Sequence, residues 1–379
     1  MKKVLLIENR PDYGIGGIET YNRNLYKILT INFKNIKIDR AAFLPCENIY
    51  NGELLKQYYY VFNPHANYRT ERGNYNFAKI AFLFHKFRNL IYKLNRENNY
   101  DLIIDSTITT FKKFNVLPFY FWVQHNTPNY YKMFYIKNKL VRNFIIFCEI
   151  CFGVQNNILH ANNLILYDWY NYEEVRSKRT SLFNAYIIPL SSCIPSNFTS
   201  ALTNFASSRK RILYFGRIDN EQKNINLLSQ INNKLNLIDF YGKGDANWIK
   251  KLGSSYKGFI NNDCDGVKNL FTKYKFMIVM SNYEGFSYSL TQALSYGLPI
   301  IVLDTYASAK FLVNDNQNGF LLQPGKSLNE YVKQLKNIYS ISNEQYLQLS
   351  LNAYKFAQDN LSEKQFQEKW LRIFNKFLN

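Results

Sequence analysis

The stretch that most constrains the fold is residues 276–304, which read as strand, loop, helix, strand. Residues 276–280 are an unbroken apolar run of strand length, as in a parallel strand covered on both faces. A polar loop follows, Ser281-Asn282-Tyr283-Glu284-Gly285-Phe286, with one carboxylate and one glycine. Ser287 is a favourable N-cap for a helical pattern that sets Leu290, Ala293 and Leu294 on one side. Gly297 and Pro299 end that helix, and residues 300–303 form the next buried strand. In an open α/β sheet, ligands bind beyond the carboxyl ends of the strands, where Glu284 stands. The unpaired first amides of the helix and its dipole suit a phosphate or diphosphate.

The rest of the chain repeats this alternation. Residues 3–7 read as a strand, followed by a loop with Gly14, Gly16 and Gly17 and a helix over 18–29. A dinucleotide fingerprint would need its third glycine at position 19, which is Glu19, so nicotinamide cofactors are disfavoured. The Gly16-Gly17 pair still lets a ligand approach backbone amides closely. Further strands are expected at 36–43, 58–62, 101–105, 119–123, 159–161 and 187–189. Amphipathic helix is expected at 76–96, and a basic, aromatic stretch runs over 130–152. His125 follows the strand at 119–123, again at a carboxyl end. Residues 191–210 are rich in Ser, Asn and Thr and read as an interdomain linker. A strand at 211–215 then opens a second domain. Arg217 lies just beyond it, and Lys223 six residues later at a helix start. Together they form a cationic clamp suited to a diphosphate. A strand at 237–241 leads into the glycine turn Gly242-Lys243-Gly244-Asp245, and helices close the chain at 345–360 and 362–377.

Glu284-Gly285-Phe286-Ser287 and the small-residue helix ending in Gly297-Leu298-Pro299 resemble the donor-site signature of retaining glycosyltransferase family 4. The Gly16-Gly17-Ile18-Glu19 loop, the Arg217/Lys223 pair and the turn at Gly242 resemble further motifs of that family, in the family's order. The resemblance implies an α/β, GT-B fold: two Rossmann-like doubly wound domains facing across a cleft. Residues 1–190 would be the acceptor-side domain, 191–210 the linker and 211–360 the donor domain. The helix over 361–379 would cross back to the first domain. It implies catalytic roles for Glu284 and His125. It implies donor contacts from Gly16, Gly17, Arg217, Lys223, Gly242, Glu284, Gly285, Phe286, Ser287, Tyr288, Ser289 and Gln292. The family places a second Glu where this chain has Gln292, a neutral amide that both donates and accepts.

The implied reaction moves a hexose or N-acetylhexosamine from a UDP-linked donor to a glycan or lipid-linked glycan acceptor, in surface polysaccharide, lipopolysaccharide or capsule assembly. No cofactor or metal is implied: no Asp-x-Asp motif sits at a strand end, and Arg and Lys fill the cation role. The net charge of +19 draws the chain to polyanions. Scattered basic residues and the lack of a nucleic-acid module disfavour nucleic acid and leave a nucleotide sugar and an anionic membrane surface. No stretch has the length of a signal peptide or a membrane span, so a cytoplasmic protein, peripheral on the membrane, is expected. Five cysteines at irregular spacing argue against a disulfide framework, and Cys148 and Cys151 read as core thiols. Two other classes stay open: a GT-B epimerase of UDP-N-acetylhexosamine, and a non-catalytic transferase-like partner. An epimerase needs several carboxylates and histidines for proton transfer, and the chain has four His.

Overall fold

The computed structural model describes the whole chain apart from residues 12–16, 45–54, 63–76, 108–110, 126–153, 193, 196–209 and 261–263. The chain divides into two compact units. Unit 1 comprises Met1–Leu166, Tyr172–Ile188 and Gln367–Asn379, and unit 2 comprises Tyr167–Asn171 and Pro189–Phe366. Each is a Rossmann-like α/β domain built on a parallel sheet.

The first half of the chain runs β1 (Lys2–Glu8), α1 (Gly17–Asn32), β2 (Ile36–Ala42), β3 (Tyr59–Tyr60), α2 (Phe77–Asn98), β4 (Leu102–Ser106), β5 (Tyr120–Val123), α3 (Val154–His160), β6 (Asn163–Leu166), α4 (Trp169–Arg176) and β7 (Asn184–Ile187). The strand order is β3-β2-β1-β4-β5-β6-β7. Every residue of β4 and β5 is buried, which explains why they read as solid apolar runs rather than alternating ones. Leu5, Ile7, Ile103 and Trp122 share one core with Phe87 and Ile91 of α2. The last helix, α12 (Glu363–Leu378), contributes Trp370 and Phe374 to unit 1, stacked at 5.2 Å and fully buried. Trp370 meets Tyr21 of α1 at 6.4 Å, and Phe377 meets Phe121 of β5 at 5.4 Å.

Unit 1 also buries an ion pair that residue spacing does not announce. Glu8, at the carboxyl end of β1, accepts from Arg40 Nε of β2 at 2.8 Å and lies 2.7 Å from Arg40 Nη2. The guanidinium lies over the rings of Tyr26 and Tyr58, at 4.3 and 4.4 Å from their centroids. Fork geometry and two aromatic faces make up for the lost hydration of both charges.

The second half runs β8 (Lys210–Phe215), α5 (Ile225–Leu235), β9 (Ile238–Tyr241), α6 (Ala246–Leu252), β10 (Tyr256–Gly258), α7 (Cys264–Phe271), β11 (Tyr274–Val279), α8 (Tyr288–Ser295), β12 (Ile300–Leu303), α9 (Ala307–Leu312), β13 (Gly319–Leu322), α10 (Leu328–Tyr339) and α11 (Asn343–Asn360). Its strand order is β10-β9-β8-β11-β12-β13. Reciprocal capping boxes, Ser327 with Glu330 and Ser342 with Gln345, fix the starts of α10 and α11.

One expected strand is corrected. Residues 159–161 end helix α3 and its following turn, and the strand beside β5 is Asn163–Leu166. Tertiary contacts hold the short helix: Arg179 donates to the carbonyls of Ile158 at 3.1 Å and Ala161 at 2.7 Å. The basic, aromatic stretch at 130–152 lies outside the described residues, as does most of 191–210. Within the latter, Ser192 bridges to Ser362, and its amide donates to Leu361 O at 2.8 Å. Among the described residues, no helix is long and apolar enough to cross a membrane.

Candidate functional site

The order β9-β8-β11-β12 places four loops side by side along the carboxyl edge of unit 2's sheet. β8 has its successor on one side and β11 on the other, so the chain order reverses there. Open α/β sheets bind ligands at such a switch point.

The loop after β8 is tied down from both ends. Tyr214 Oη donates to Arg217 O at 2.6 Å. Asp219 Oδ1 accepts from the amides of Gln222 at 2.8 Å and Lys223 at 3.3 Å. Asp219 Oδ2 lies 3.1 Å from Arg217 Nε. Asn224, at a left-handed φ of 53°, then turns the chain into α5. This folds Arg217 and Lys223 back toward the neighbouring loop.

The loop after β11 supplies the carboxylate. Glu284 is only 7% exposed. Its Oε1 accepts from Ser281 Oγ at 2.8 Å and pairs with Lys223 Nζ. Its Oε2 accepts from Gln222 Nε2 at 3.1 Å. The same Nε2 lies 3.2 Å from Tyr283 O, and Gln222 Oε1 accepts from Arg217 Nη2. The loops are also laced through their backbones: Asn282 N donates to Gln222 O at 2.8 Å, and Asn282 Nδ2 to Glu221 O at 2.7 Å. One buried carboxylate therefore has a cation and two neutral donors, which offsets its desolvation. Nearby phenols stay protonated. Burial, with smaller contributions from Glu221 and Asp219, pushes Tyr283 up to about 12, and burial followed by the charge of Glu284 raises Tyr214 and Tyr306 well above the ordinary range.

The glycine turn after β9 abuts this loop. Gly216 N donates to Tyr241 O at 3.1 Å, and Ile218 N to Lys243 O at 2.8 Å. A Cβ on Gly242 would run into Gly216 O, and one on Gly244 into Ile218 O. Both positions need glycine because two backbones touch there.

Ser287 takes the N-cap position of α8, but its side chain makes no capping bond. Its Oγ instead lies 3.3 Å from Ser289 Oγ. The first-turn amides thus receive no acceptor from the cap residue. Tyr288 and Ser289 occupy that first turn. Phe286 is buried, edge-on to Tyr167 at 5.3 Å and 5.9 Å from Phe311. It packs the loop rather than offering a free face. Gly285 sits between the carboxylate and this anchor. Gln292 is 4% exposed, and its Oε1 has no hydrogen-bond partner among the described residues.

Unit 1 carries the remaining expected residues. Gly16 lies outside the described residues, and Gly17 is the first residue of α1. His125 follows β5, edge-on to Tyr21 at 5.3 Å, and desolvation lowers its imidazole to about 3. It is therefore neutral at physiological pH. On the neighbouring strand, fully buried Asp105 accepts from Tyr120 Oη at 2.6 Å and Thr107 N at 2.8 Å. Burial pushes that carboxyl up to about 7.

Structure thus brings Arg217, Lys223 and Glu284 together within unit 2. It adds Gln222, Ser281 and Asp219, which sequence reasoning left out. Their one sequence signal was adjacency: Gln222 precedes Lys223, and Ser281 lies three residues before Glu284.

Residues 198–356 match the sequence model of the family described as Glycosyl transferases group 1. A UDP-N-acetylglucosamine–peptide N-acetylglucosaminyltransferase GtfA subunit of Streptococcus gordonii is 23% identical over 150 residues, which is 37% of this chain and 29% of that protein. A poly(glycerol-phosphate) alpha-glucosyltransferase of Bacillus subtilis is 28% identical over 148 residues, 37% of this chain and 21% of that protein. The chain thus matches less than a third of the length of these curated relatives. Among solved structures, sucrose-phosphate synthase of Thermosynechococcus elongatus superposes with a TM-score of 0.71 at 15% identity, over 99% of both chains. Residues 198–356 of this chain are thus similar to glycosyl transferases group 1, and its two Rossmann-like units match the GT-B fold.

Proposed function

We propose that this chain is a retaining, metal-independent glycosyltransferase. It moves a hexose or N-acetylhexosamine from a UDP-linked donor to a glycan or lipid-linked glycan acceptor in surface-polysaccharide assembly. The observation that carries this reading is the junction of Arg217, Lys223 and Glu284 at the switch point of unit 2, beside the N-terminus of α8. The group 1 match over the same residues and the UDP-N-acetylglucosamine named for a relative support it.

The chemistry follows from charge. The bond from the sugar's anomeric carbon to the diphosphate breaks, and a bond to the acceptor oxygen forms on the same face. The acceptor's proton passes to the departing phosphate oxygen, so no side-chain base is needed. Arg217, Lys223 and the first amides of α8 stabilise the charge that develops on the diphosphate. Glu284 orients the sugar hydroxyls. Family resemblance gives His125 the same task, and as a neutral imidazole it offers one donor and one acceptor. Gln292 offers its unpartnered oxygen to a ribose hydroxyl. The net charge of +19 suits an anionic membrane surface that presents an amphiphilic acceptor.

The test is a nucleotide-release screen across UDP-, GDP- and ADP-sugars with and without glycan acceptors, run in chelator. Acceptor-dependent release from one nucleotide class, with the anomeric configuration retained in the product, supports the reading. Isomerisation of a UDP-N-acetylhexosamine without acceptor assigns an epimerase, and tight donor binding without turnover assigns a binding partner.

A further inference from the structure

Gln222 stands at the centre of the charge network yet carries no charge. Its Oε1 accepts from Arg217 Nη2, and its Nε2 donates to Glu284 Oε2 at 3.1 Å and lies 3.2 Å from Tyr283 O. Its backbone is fixed too: its amide bonds Asp219 Oδ1 at 2.8 Å, and its carbonyl accepts from Asn282 N at 2.8 Å. The ionisable groups around it are Arg217, Asp219, Glu221, Lys223, Tyr283 and Glu284.

An amide accepts from a guanidinium with one atom while donating to a carboxylate with the other, at no cost in net charge. With the amide between them, Arg217 and Glu284 do not close into a direct bidentate pair, which would be the stronger contact. Glu284 keeps one cation, Lys223. Arg217, whose side chain is 61% exposed, is also paired through Nε with Asp219 Oδ2 at 3.1 Å, and its other terminal nitrogen, Nη1, is left for a further acceptor.

We infer that Gln222 is a positioning residue: it separates Arg217 from Glu284 so that the guanidinium is held open for the diphosphate of the donor. This rests on the reading of unit 2 as a nucleotide-sugar site. An anion that meets an already oriented guanidinium loses less freedom on binding, and the gain appears as affinity.

Two substitutions separate this role from simple packing. Gln222→Met keeps the length and removes both polar contacts. Gln222→Glu keeps the acceptor for Arg217 but sets a second carboxylate beside Glu284. Two carboxylates that close share a proton at raised pH, and the protonated acid both donates and accepts, as the amide does. The readout is calorimetric affinity of the full chain for UDP-glucose, GDP-mannose and ADP-glucose, whose diphosphate bridges do not titrate near neutrality. Thermal melts confirm folding.

Gln222→Met is expected to weaken the bound donor about tenfold, the scale of one charge-assisted contact, by a ratio that does not change with pH. Gln222→Glu is expected to weaken it about tenfold near pH 8 and to recover toward wild type by about pH 5 as the introduced acid takes up its proton. Variants that bind within about twofold of wild type at every pH, or a Glu variant whose ratio is flat, overturn the inference while leaving the site reading intact. A folded wild type that binds none of the three donors overturns both.

Discussion

Lys223 and Glu284, 61 residues apart in sequence, form an ion pair at the carboxyl edge of unit 2's sheet, with side-chain exposures of 14% and 8%. Under the proposed function, the diphosphate and the carboxylate would draw on the same ammonium, and an arriving donor would share Lys223 rather than find it idle. Single and double alanine variants at these positions are expected to be strongly non-additive in donor turnover. Each single change should lower turnover about 100-fold, and the double should cost little more than either. Turnover measured around the full cycle checks this, and strictly multiplicative losses would show that the two residues act apart.

Gly242→Ala places a methyl group against Gly216 O, where two backbones touch. The loop that holds Arg217 must then shift. The variant is expected to lose at least about 2 kcal/mol of stability and to bind donor more weakly. Gly253→Ala is the control: a Cβ there meets nothing within 4 Å, so its cost is confined to the strain of a φ of 54°. Denaturant melts of the pair measure the difference, and equal losses would show that contact at Gly242 is not the cause.

Unit 1 carries two opposed pH effects. Asp105 is raised from 3.8 to about 7 by burial, so the folded state keeps a proton that the unfolded chain gives up. Its contribution is full below the unfolded value and is lost as pH rises through the folded one. His125 is lowered from 6.5 to about 3, so its contribution is present above the unfolded value and is lost as pH falls toward the folded one. Melts of Asp105→Asn should therefore show less loss of stability from about pH 4 to about pH 7 than wild type, and melts of His125→Gln less loss on acidification. A wild-type slope in both variants would contradict the assigned burial.

Gln292 has a buried oxygen without a hydrogen-bond partner among the described residues. An ionised Glu in its place meets a desolvation cost that, under the proposed function, ribose hydroxyls would relieve by donating to it. Gln292→Glu is expected to melt below wild type when ligand-free and to gain more from saturating UDP-sugar than wild type does. Equal ligand-induced shifts in the two proteins would assign Gln292 to packing.

Legibility in the sequence followed the physics of each element. Strands buried on both faces, such as β11 and β12, appear as apolar runs, and Gly297 and Pro299 close α8 where they should. Helix α3 did not announce itself, because Arg179 holds its carbonyls from a distant turn and seven residues carry too little periodicity. In the site, charge was legible: Arg217, Lys223 and Glu284 stood out by their places beyond strand ends and by resemblance to a family's motifs. The groups that aim them were not, since Gln222 and Ser281 are neutral and common in loops. The burial of Phe286 and the buried Glu8–Arg40 pair depend on contacts that one-dimensional spacing does not encode.

Under the proposed function, Arg217, Lys223 and Glu284 act on one leaving diphosphate. The most direct measurement of that joint action is nucleoside diphosphate release from the preferred nucleotide sugar by wild type and by Arg217→Ala, Lys223→Ala and Glu284→Ala, each confirmed folded by its melt. Each variant is expected to fall by at least about 100-fold. Near-wild-type release in all three would contradict it.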